Sequence, residues 1–290
     1  AYVPHCMDEQ ELLTVANKMF RTLRLKKMDS RQFHGSFIFR ELRTVEEAAA
    51  AAALRKVTYC DYLNYISPDR VPEKYEVDWH DRTSIHIGGF VRQADGTEKL
   101  IASGRIITPQ VQPKFERLFA RLVETRGCAV NQSVFNEASA HTFVIQESND
   151  PYVQSFIAKH SGSAMYEFSR FIIDFEYLNL NLSTVLAQVM GMYTREKLGG
   201  DYAFVECHTA MVNYFMEKLH VTGYLPEAEH VFTHGLNKQP SSPLYVDLTA
   251  IDSDAGHDEF ITTAKSYSQQ YQRDGFVEHV EFVENERLVA

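Results

Sequence analysis

The first part of the chain shows a helix-like pattern, then a strand-like pattern, then a second helix-like pattern. Apolar residues recur at helical spacing between Leu12 and Leu23, which predicts an opening helix. Residues 36–43 predict a strand. Thr44 and Glu47 then have the T-x-x-E spacing of a capping box, so a second helix is predicted from Val45 to about Tyr62.

The middle of the chain predicts a β-hairpin followed by a long helical segment. Residues 84–92 and 98–108 are two strand-like runs, and the Asp-Gly pair between them favours a tight turn because these residues tolerate positive φ. The segment 109–164 predicts two amphipathic helices, at about 115–122 and 152–159. We interpret this segment as an insertion between two strands.

The last part of the chain predicts more of the same sheet. Residues 165–175 carry apolar residues on both faces, which is typical of a strand in the middle of a sheet. A helix capped by Asn181 or Ser183 follows and ends at Gly199-Gly200. Residues 202–208 predict another buried strand. Four further elements are predicted: a helix from Thr209 to about Gly223, strands near 230–234 and 244–248, and a helix near 258–273.

The order of these elements predicts an α/β (α+β) fold, a mixed central sheet flanked by helices. No internal repeat and no linker rich in Gly, Ser and Pro divides the chain. We therefore expect one main domain at 36–250, interrupted between its third and fourth strands by the 109–164 insertion. Residues 1–35 are expected to form an N-terminal helical extension, and 251–290 a C-terminal helical extension.

Composition and charge exclude several classes of protein. The chain has 290 residues, 44% apolar and 23% charged, an ordinary globular composition. No stretch approaches the roughly 18 apolar residues of a membrane-spanning helix, and we expect no secretory signal. The formal net charge of −10 argues against nucleic-acid binding. Four widely spaced cysteines predict free thiols in a reducing cytoplasm: Cys6, Cys60, Cys128 and Cys207.

Four short patterns of polar residues suggest a site. They are Arg55 with Tyr59 on the second helix, Asp78 with Asp81 before the hairpin, Arg105 in its second strand, and Glu167, Ser169 and Arg170 in the later central strand. Residues four apart share a helix face, and a charge inside a strand needs a partner. Taken alone, each pattern is more typical of a structural salt bridge than of a functional site.

Taken together and in this order, the patterns resemble the acyl-homoserine lactone (autoinducer) synthases and the related long-chain N-acyl amino acid synthases. The resemblance covers roughly residues 36–248 and implies the fold of the Gcn5-related N-acetyltransferase superfamily. By this resemblance, catalytic roles are expected for Glu167, Arg170 and Arg105. Substrate-binding roles are expected for Arg55, Tyr59, Asp78, Asp81 and Ser169.

The chain departs from these families in several places. Tyr59 stands where Phe is usual, and Tyr65 corresponds to a position where Trp is usual. The segment between Arg105 and Glu167 is longer than in autoinducer synthases, which favours the N-acyl amino acid synthases. The Gly-rich acetyl-coenzyme A loop of ordinary superfamily members is absent after Asp174, so the resemblance implies another acyl carrier.

Aminolysis of a thioester needs a base and donors for the oxyanion, but no covalent nucleophile. Glu167 is the only acid on the central strand before Asp174, and we assign it as general base, acting directly or through a water. In an unbroken strand Glu167 and Arg170 face opposite sides, so a shared site requires a bulge, which also frees backbone N–H donors. Arg105 and Arg170 then either pair with the two aspartates or hold an acceptor carboxylate.

The resemblance implies an acyl thioester of phosphopantetheine as donor, with no tightly bound cofactor and no metal. The expected partners are an acyl carrier protein and a small amine acceptor, an amino acid or an amino-acid derivative. The product is then an N-acyl amino acid or a quorum-sensing autoinducer. Acyl-coenzyme A is the alternative donor, and a non-catalytic acyl-lipid-binding module of the same fold is the alternative function.

An acidic carrier protein requires a basic surface on this acidic chain. The densest run of positive charge comprises Arg21, Arg24, Lys26, Lys27 and Arg31. The alternative interpretation of this run is a solvated helix end. A second candidate surface lies in the insertion: Lys114, Arg117, Arg121 and Arg126.

Two other kinds of site are disfavoured. Cys207 and His208 are adjacent in a predicted strand and so face opposite sides, which prevents a cysteine–histidine dyad. His230 and His234 are four apart but in an extended setting, with no third ligand nearby, so we expect no metal site there.

Overall fold

The computed structural model describes residues 36–62, 66, 71, 74–93, 95–126, 142–148, 150–180, 182–208, 212, 223–224, 241–252 and 279–282. The predicted opening helix, the His230–His234 segment and the predicted C-terminal helix lie outside the described residues. So do Tyr65, Cys6 and Cys128.

The described residues form one mixed sheet of eight strands. The strands are β1 (Ser36–Glu41), β2 (Ser84–Arg92), β3 (Glu98–Ile107), β4 (Met165–Ile173), β5 (Tyr202–His208), β6 (Gly223–Tyr224), β7 (Ser241–Asp247) and β8 (His279–Phe282). Their order across the sheet is β6-β7-β5-β4-β3-β2-β1-β8. The pairs β4–β5 and β1–β8 are parallel, and the others are antiparallel.

Helices cover this sheet. They are α1 (Val45–Arg55), α2 (Pro113–Arg126), α3 (Pro151–Lys159) and α4 (Leu182–Leu198). Short 3₁₀ turns occur at Trp79–Arg82, Val144–Ser148, Phe175–Leu180 and Leu248–Asp252. Within the described ranges, no helix is both long and apolar enough to cross a membrane. The mixed sheet with flanking helices confirms the expected fold class.

Local sequence signals explain where these elements begin. The Oγ1 atom of Thr44 accepts a hydrogen bond from the backbone N–H of Glu47 at 3.2 Å, which confirms the predicted helix cap. In the β2–β3 hairpin, Gly96 has a φ of 83°, the conformation that the turn requires. The long predicted helix is α-helical only to Arg55, and Lys56–Tyr62 continues as a π-helix. Ser183, one of the two predicted caps, lies inside α4.

The two faces of the sheet are covered by different helices. On one face α2 packs against β2, with the ring centres of Phe119 and His86 4.4 Å apart. On the other face α4 lies so close to β3 that a Cβ atom added at Gly104 would meet Met190 Sδ at 2.5 Å. Phe115 and Phe119 of α2 belong to the main hydrophobic core, so the first helix of the predicted insertion is part of that core.

The remainder of the 109–164 segment builds a second, smaller hydrophobic cluster. Its buried residues are Ile107, Phe143, Ile145, Val153, Met165 and Phe204. Phe156 of α3 packs over Phe204 and Tyr245, with ring centres 5.6 and 4.8 Å apart. The segment therefore covers β4, β5 and β7 on the face that carries Ile107.

Candidate active site

Three arginines and three acidic residues form a closed ring of ion pairs on the face of the sheet that carries β3 residue Arg105. Each guanidinium group contacts two carboxylates, and each carboxylate contacts two guanidinium groups. In order around the ring the residues are Arg55, Glu76, Arg170, Asp78, Arg105 and Asp81. The end of α1, the segment before β2, and strands β3 and β4 thus meet at one place.

Arg55 and Arg170 both bind Glu76. Arg55 holds Asp81 with two parallel hydrogen bonds, Nη1 to Oδ1 at 2.7 Å and Nη2 to Oδ2 at 3.0 Å, and its Nε donates to Glu76. The Nη2 atom of Arg170 donates to Glu76 Oε1 at 3.1 Å and to Asp78 Oδ2 at 2.8 Å. Such paired, charge-assisted bonds fix the geometry of both partners.

Arg105 closes the ring from the centre of β3, where it is fully buried. Its Nη1 donates to Asp78 and to Asp81 Oδ1, the latter at 3.0 Å. Its Nη2 lies 3.4 Å from Ser169 Oγ on the neighbouring strand. With three formal charges of each sign, the ring is neutral as a whole.

Asp78 and Asp81 stay ionised although they are buried. Burial alone would raise the pKa of Asp78, but the guanidinium groups of Arg105 and Arg170 hold it well below its usual range. Burial opposes ionisation of Asp81 as well, and the charge of Arg55 is the largest effect that lowers its pKa. Each charge therefore depends on its neighbours, and loss of one member would leave a buried charge unpaired.

Arg170 reaches the ring because β4 is irregular at this residue. Ser103 of β3 pairs with Ile172, whereas Arg105 pairs with Ser169, so two residues of β4 oppose the single residue Gly104. Arg170 itself has a φ of 52°, in the left-handed region that residues other than glycine rarely adopt. This confirms the predicted bulge in the central strand.

Tyr59 lies beside Arg170, on the π-helical segment that follows α1. The guanidinium carbon of Arg170 is 5.5 Å from the centre of the Tyr59 ring, and the Tyr59 hydroxyl donates to the carbonyl oxygen of Phe171 at 3.1 Å. Burial raises the pKa of the Tyr59 hydroxyl, although the positive charge of Arg170 opposes the shift. Tyr59 thus stays neutral and fastens the bulge to the helix.

Glu167 lies on the same face as Arg105 but is not a member of the ring. Its side chain is almost completely buried, and its Oε2 accepts a hydrogen bond from the backbone N–H of Ile145 at 3.1 Å. Burial raises the pKa of Glu167 to about 7, with Glu206 acting in the same direction and the Ile145 hydrogen bond opposing. A carboxyl group with this pKa exchanges a proton readily near neutral pH.

The parallel pairing of β4 and β5 ends next to Glu167. They pair from Met165 to Phe168 on β4 and from Tyr202 to Val205 on β5, although β4 continues to Ile173 and β5 to His208. The last pairs adjoin Ser169 and the bulge. Both strands continue beyond their last pair, and we call the region between residues 169–173 and 206–208 the β4–β5 opening; Glu167 lies just before it.

The structure brings most of the predicted site residues together. Those in or against the ion-pair ring are Arg55, Tyr59, Asp78, Asp81, Arg105, Ser169 and Arg170. Glu167 is held by the Val144–Ser148 turn and acts on the ring only through its charge, which Arg105 stabilises. The proposed carrier-binding residues Arg21, Arg24, Lys26 and Lys27 lie outside the described residues.

Sequence reasoning missed Glu76 and His86. Glu76 precedes Asp78 by two residues, so in an extended segment both side chains point the same way, and E-x-D-x-x-D is the signal that could have identified it. His86 is the neighbour of Arg105 across β2 and β3. Burial lowers the pKa of His86 to about 4, so its ring is neutral and adds no charge to the site.

The rival chemistries find little support in the described residues. Cys207 is a buried free thiol on the opposite face of β5 from Phe204, and burial raises its pKa to about 12, so it is a poor nucleophile. Across the described ranges, no group of three His, Cys, Asp or Glu side chains is placed to hold a metal ion.

The chain is similar to known proteins in its structure, but no match was found from its sequence. No protein-family model matches the chain, and no curated protein matches it. Among solved structures it is similar to FeeM, an N-acyl amino acid synthase from uncultured soil microbes, with 13% identity, a TM-score of 0.50, and coverage of 77% of this chain and 98% of FeeM.

Two other solved structures are less similar in shape. TofI, in a ternary complex with an inhibitor and MTA, has 13% identity, a TM-score of 0.42, and coverage of 80% of this chain and 99% of TofI. BjaI, a CoA-dependent acyl-homoserine lactone synthase with SAM and isopentyl-CoA, has 14% identity, a TM-score of 0.39, and coverage of 88% of this chain and 95% of BjaI.

At 13% identity, the likeness to FeeM is evidence about the fold and not about the substrate. The resemblance that the motifs imply is therefore confirmed at the level of architecture: the chain has a Gcn5-related N-acetyltransferase-like fold, shared with an N-acyl amino acid synthase.

Proposed function

We propose that this protein is an N-acyltransferase that moves a fatty acyl group from a phosphopantetheine thioester to the amine of a small amino acid or amino-acid derivative. The observation that carries the proposal is the position of Glu167, a buried carboxyl group with a pKa of about 7 at the base of the β4–β5 opening. Perturbed acids at such a position are typical of general acid–base sites.

Glu167 is the proposed general base. The amine nitrogen attacks the thioester carbonyl carbon, its proton passes to Glu167 directly or through one water, and the C–S bond breaks as the carbonyl re-forms. The leaving thiolate takes up a proton, so that the net products are an amide and a free thiol. No protein nucleophile is required, which agrees with the high pKa of the Cys207 thiol.

The β4–β5 opening is the proposed place for the thioester arm. Beyond Phe168 and Val205 the two strands no longer pair with each other, so a narrow extended arm can lie between them. The bulge at Arg170 turns backbone groups of β4 out of the ladder, and an N–H group there is the proposed donor to the tetrahedral oxyanion.

The ion-pair ring is proposed to position the reacting groups. Each of its arginines already pairs with two carboxylates, although the Nε atoms of Arg105 and Arg170 make no hydrogen bond, and this favours a supporting role for Arg105 over direct binding of an acceptor carboxylate. In this proposal the ion pairs hold Arg170 in position and Arg170 holds the bulge of β4. The bulge in turn determines how far β4 lies from β5 in the opening. Holding the reacting groups close together and in the correct orientation supplies a large part of enzymatic rate enhancement.

The proposed donor is an acyl carrier protein, with acyl-coenzyme A as the alternative, and the proposed product is an N-acyl amino acid or an autoinducer. The motifs and the long segment between Arg105 and Glu167 support this choice. A cytoplasmic location is proposed with it. Both described cysteines, Cys60 and Cys207, are free thiols, which fits a reducing compartment.

The test uses the full purified chain with a set of acyl carrier protein thioesters and acyl-coenzyme A thioesters of different chain length, each with a panel of amino acids, amino-acid esters and lactones. Release of free thiol and mass spectrometry of the product report the donor, the acyl chain and the amine together. We expect amine-dependent thiol release. Binding of acyl thioesters with no thiol release for any amine would instead establish the non-catalytic lipid-binding alternative.

A further inference from the structure

A second carboxylate lies beside Glu167, on the next strand of the sheet. Glu167 of β4 pairs with Phe204 of β5 in the parallel ladder, and Glu206 follows Phe204 by two residues. Residues two apart on a strand share a face, so Glu206 lies on the face of Phe204 and Glu167.

The position of Glu206 along β5 is also distinctive. The β4–β5 pairing ends at Phe168 and Val205, and Glu206 is the first residue of β5 beyond that end. Continued pairing would have placed Glu206 opposite Ser169, the residue that contacts Arg105. Glu206 therefore borders the opening in which the acyl transfer is proposed to occur. It is half-buried, so its charge is only partly screened by water.

We propose that Glu206 is a positioning residue for the transfer, acting through Glu167: its negative charge, on the same face at the mouth of the opening, strengthens Glu167 as a base. The inference rests on the proposed function. Two carboxylates in one site disfavour each other's ionisation, so that one of them holds its proton more tightly. Once it is ionised, a stronger base takes the proton of the reacting amine faster.

The other groups that act on Glu167 do not supply this effect. The Ile145 N–H and the charges of His80 and Arg105 all favour the ionised form of Glu167. Apart from burial, Glu206 is the group that acts in the opposite direction. Removal of the Glu206 charge should therefore lower the pKa of Glu167. Loss of a residue with a merely structural role would not produce this change.

The test compares Glu206→Gln, Glu206→Asp and the control Glu124→Gln on the exposed face of α2. Carbon-13 NMR of protein labelled at the glutamate carboxyl groups follows the titration of Glu167, whose signal is assigned by its loss in Glu167→Gln. We expect Glu206→Gln to lower the titration midpoint of Glu167 by about 0.5 or more, while Glu206→Asp, which keeps the charge, and Glu124→Gln leave it near its wild-type value.

Kinetics give the second measurement. In Glu206→Gln the acidic limb of the pH profile of kcat/KM should move to lower pH with the NMR midpoint, and the plateau value of kcat above that limb should fall because the ionised base is weaker. An unchanged midpoint and an unmoved limb in a folded, active Glu206→Gln protein would overturn the inference and leave the proposed transferase standing. If the NMR midpoint moves but no variant and no wild-type protein releases thiol, the carboxylates are coupled and the proposed transferase fails.

Discussion

Glu76 Oε1 lies 3.1 Å from Arg170 Nη2, and its other oxygen accepts from Arg55, so this one carboxylate joins the bulge of β4 to the end of α1. Without it, Arg55 and Arg170 would each keep only an aspartate partner. With it, the ion pairs close into a neutral ring that is almost fully buried except at Arg170. The bulge is thus held in place from both sides.

The ring predicts a large loss of stability when one member is removed. Arg105→Ala leaves Asp78 and Asp81 with one arginine fewer in a largely buried site, and breaking a buried pair costs roughly 3 to 5 kcal/mol. Chemical denaturation of the two proteins measures the difference in free energy of unfolding. Activity should fall as well, because the bulge loses its support.

A surface ion pair supplies the matched control for this measurement. Arg82 and Glu116 pair with both side chains 34% exposed, so Glu116→Gln should cost less than about 1 kcal/mol. If Arg105→Ala unfolds at the same denaturant concentration as the parent while the acceptor KM rises steeply, Arg105 binds the acceptor and the supporting role assigned to it is wrong.

We expect Glu167→Gln to lose turnover while the protein keeps its fold. The amide has nearly the shape of the carboxylate and can still accept the Ile145 N–H bond through its oxygen, but it cannot take the amine proton. Loss of a general base costs roughly 10² to 10⁴ in rate. Single-turnover thiol release measures the effect, and an unchanged kcat in folded Glu167→Gln protein would remove Glu167 from the mechanism.

The same residue predicts an unusual dependence of stability on pH. The pKa of Glu167 rises from 4.5 to about 7 on folding, so between these values the folded protein keeps a proton that the unfolded chain has released. Its contribution to stability is therefore full below about pH 4.5 and is lost as the pH rises to about 7. Over this pH range the contribution of Glu167 to the free energy of unfolding changes by about 3 kcal/mol at most.

Comparison with Glu167→Gln isolates this contribution. The difference in unfolding free energy between wild type and Glu167→Gln should decrease steadily from about pH 4.5 to about pH 7, and Glu124→Gln on the exposed face of α2 is measured beside it as the control. Asp78 and Asp81 do not affect this comparison. Their pKa values are lowered in the folded protein, so stability is lost through them only as the pH falls below the ordinary aspartate pKa. A flat difference for Glu167→Gln would show that Glu167 titrates normally.

Gly104→Ala predicts a packing defect directly beneath the bulge. The added Cβ would meet Met190 Sδ at 2.5 Å, and Met190 is fully buried, so α4 or its side chains must shift. Overpacking of this kind costs roughly 1 to 3 kcal/mol. Gly162→Ala is the control, because nothing lies within 4 Å of its added Cβ. The cost should shrink in a Met190→Ala background, and equal costs in both backgrounds would exclude this contact as the cause.

The sequence predicted helices α1 to α4 and strands β1 to β5 and β7, but not β6 or β8, because the predicted elements depend on local signals. The Thr44 cap, the Asp95-Gly96 turn and the apolar run of β4 act within a few residues of chain. The need for a bulge also followed from period-two geometry, since Glu167 and Arg170 could not otherwise share a face. Those predictions concern what one segment prefers by itself.

What could not be predicted depends on residues far apart in the chain. Glu76 gains its importance only because Arg55 and Arg170 arrive from two other elements, and the E-x-D-x-x-D spacing by itself does not show which arginines its carboxylate binds. The same holds for Glu206, which becomes a neighbour of Glu167 through the parallel register of β4 and β5. The π-helical turn after Arg55 is likewise not signalled by its sequence, Lys56–Tyr62.

The last prediction concerns the donor. Acyl carrier protein and this chain are both acidic, so their productive encounter needs a basic surface that outweighs the general repulsion. Arg24→Glu with Lys27→Glu reverses the charge in the densest basic run of the sequence. Since such charges act mainly on association, kcat/KM for the carrier-bound donor should fall about tenfold at low salt and depend less on salt, with kcat unchanged.

Two comparisons make this result specific to the carrier protein. A small acyl thioester without the protein should react equally well with both forms, because it does not need the basic surface. Arg117→Glu with Arg121→Glu, on the exposed side of α2, tests the second basic surface in the same way. If neither reversal changes kcat/KM at low salt, and acyl-coenzyme A serves as well as the carrier protein, the donor is acyl-coenzyme A and the run from Arg21 to Lys27 is a solvated surface without a role in donor binding.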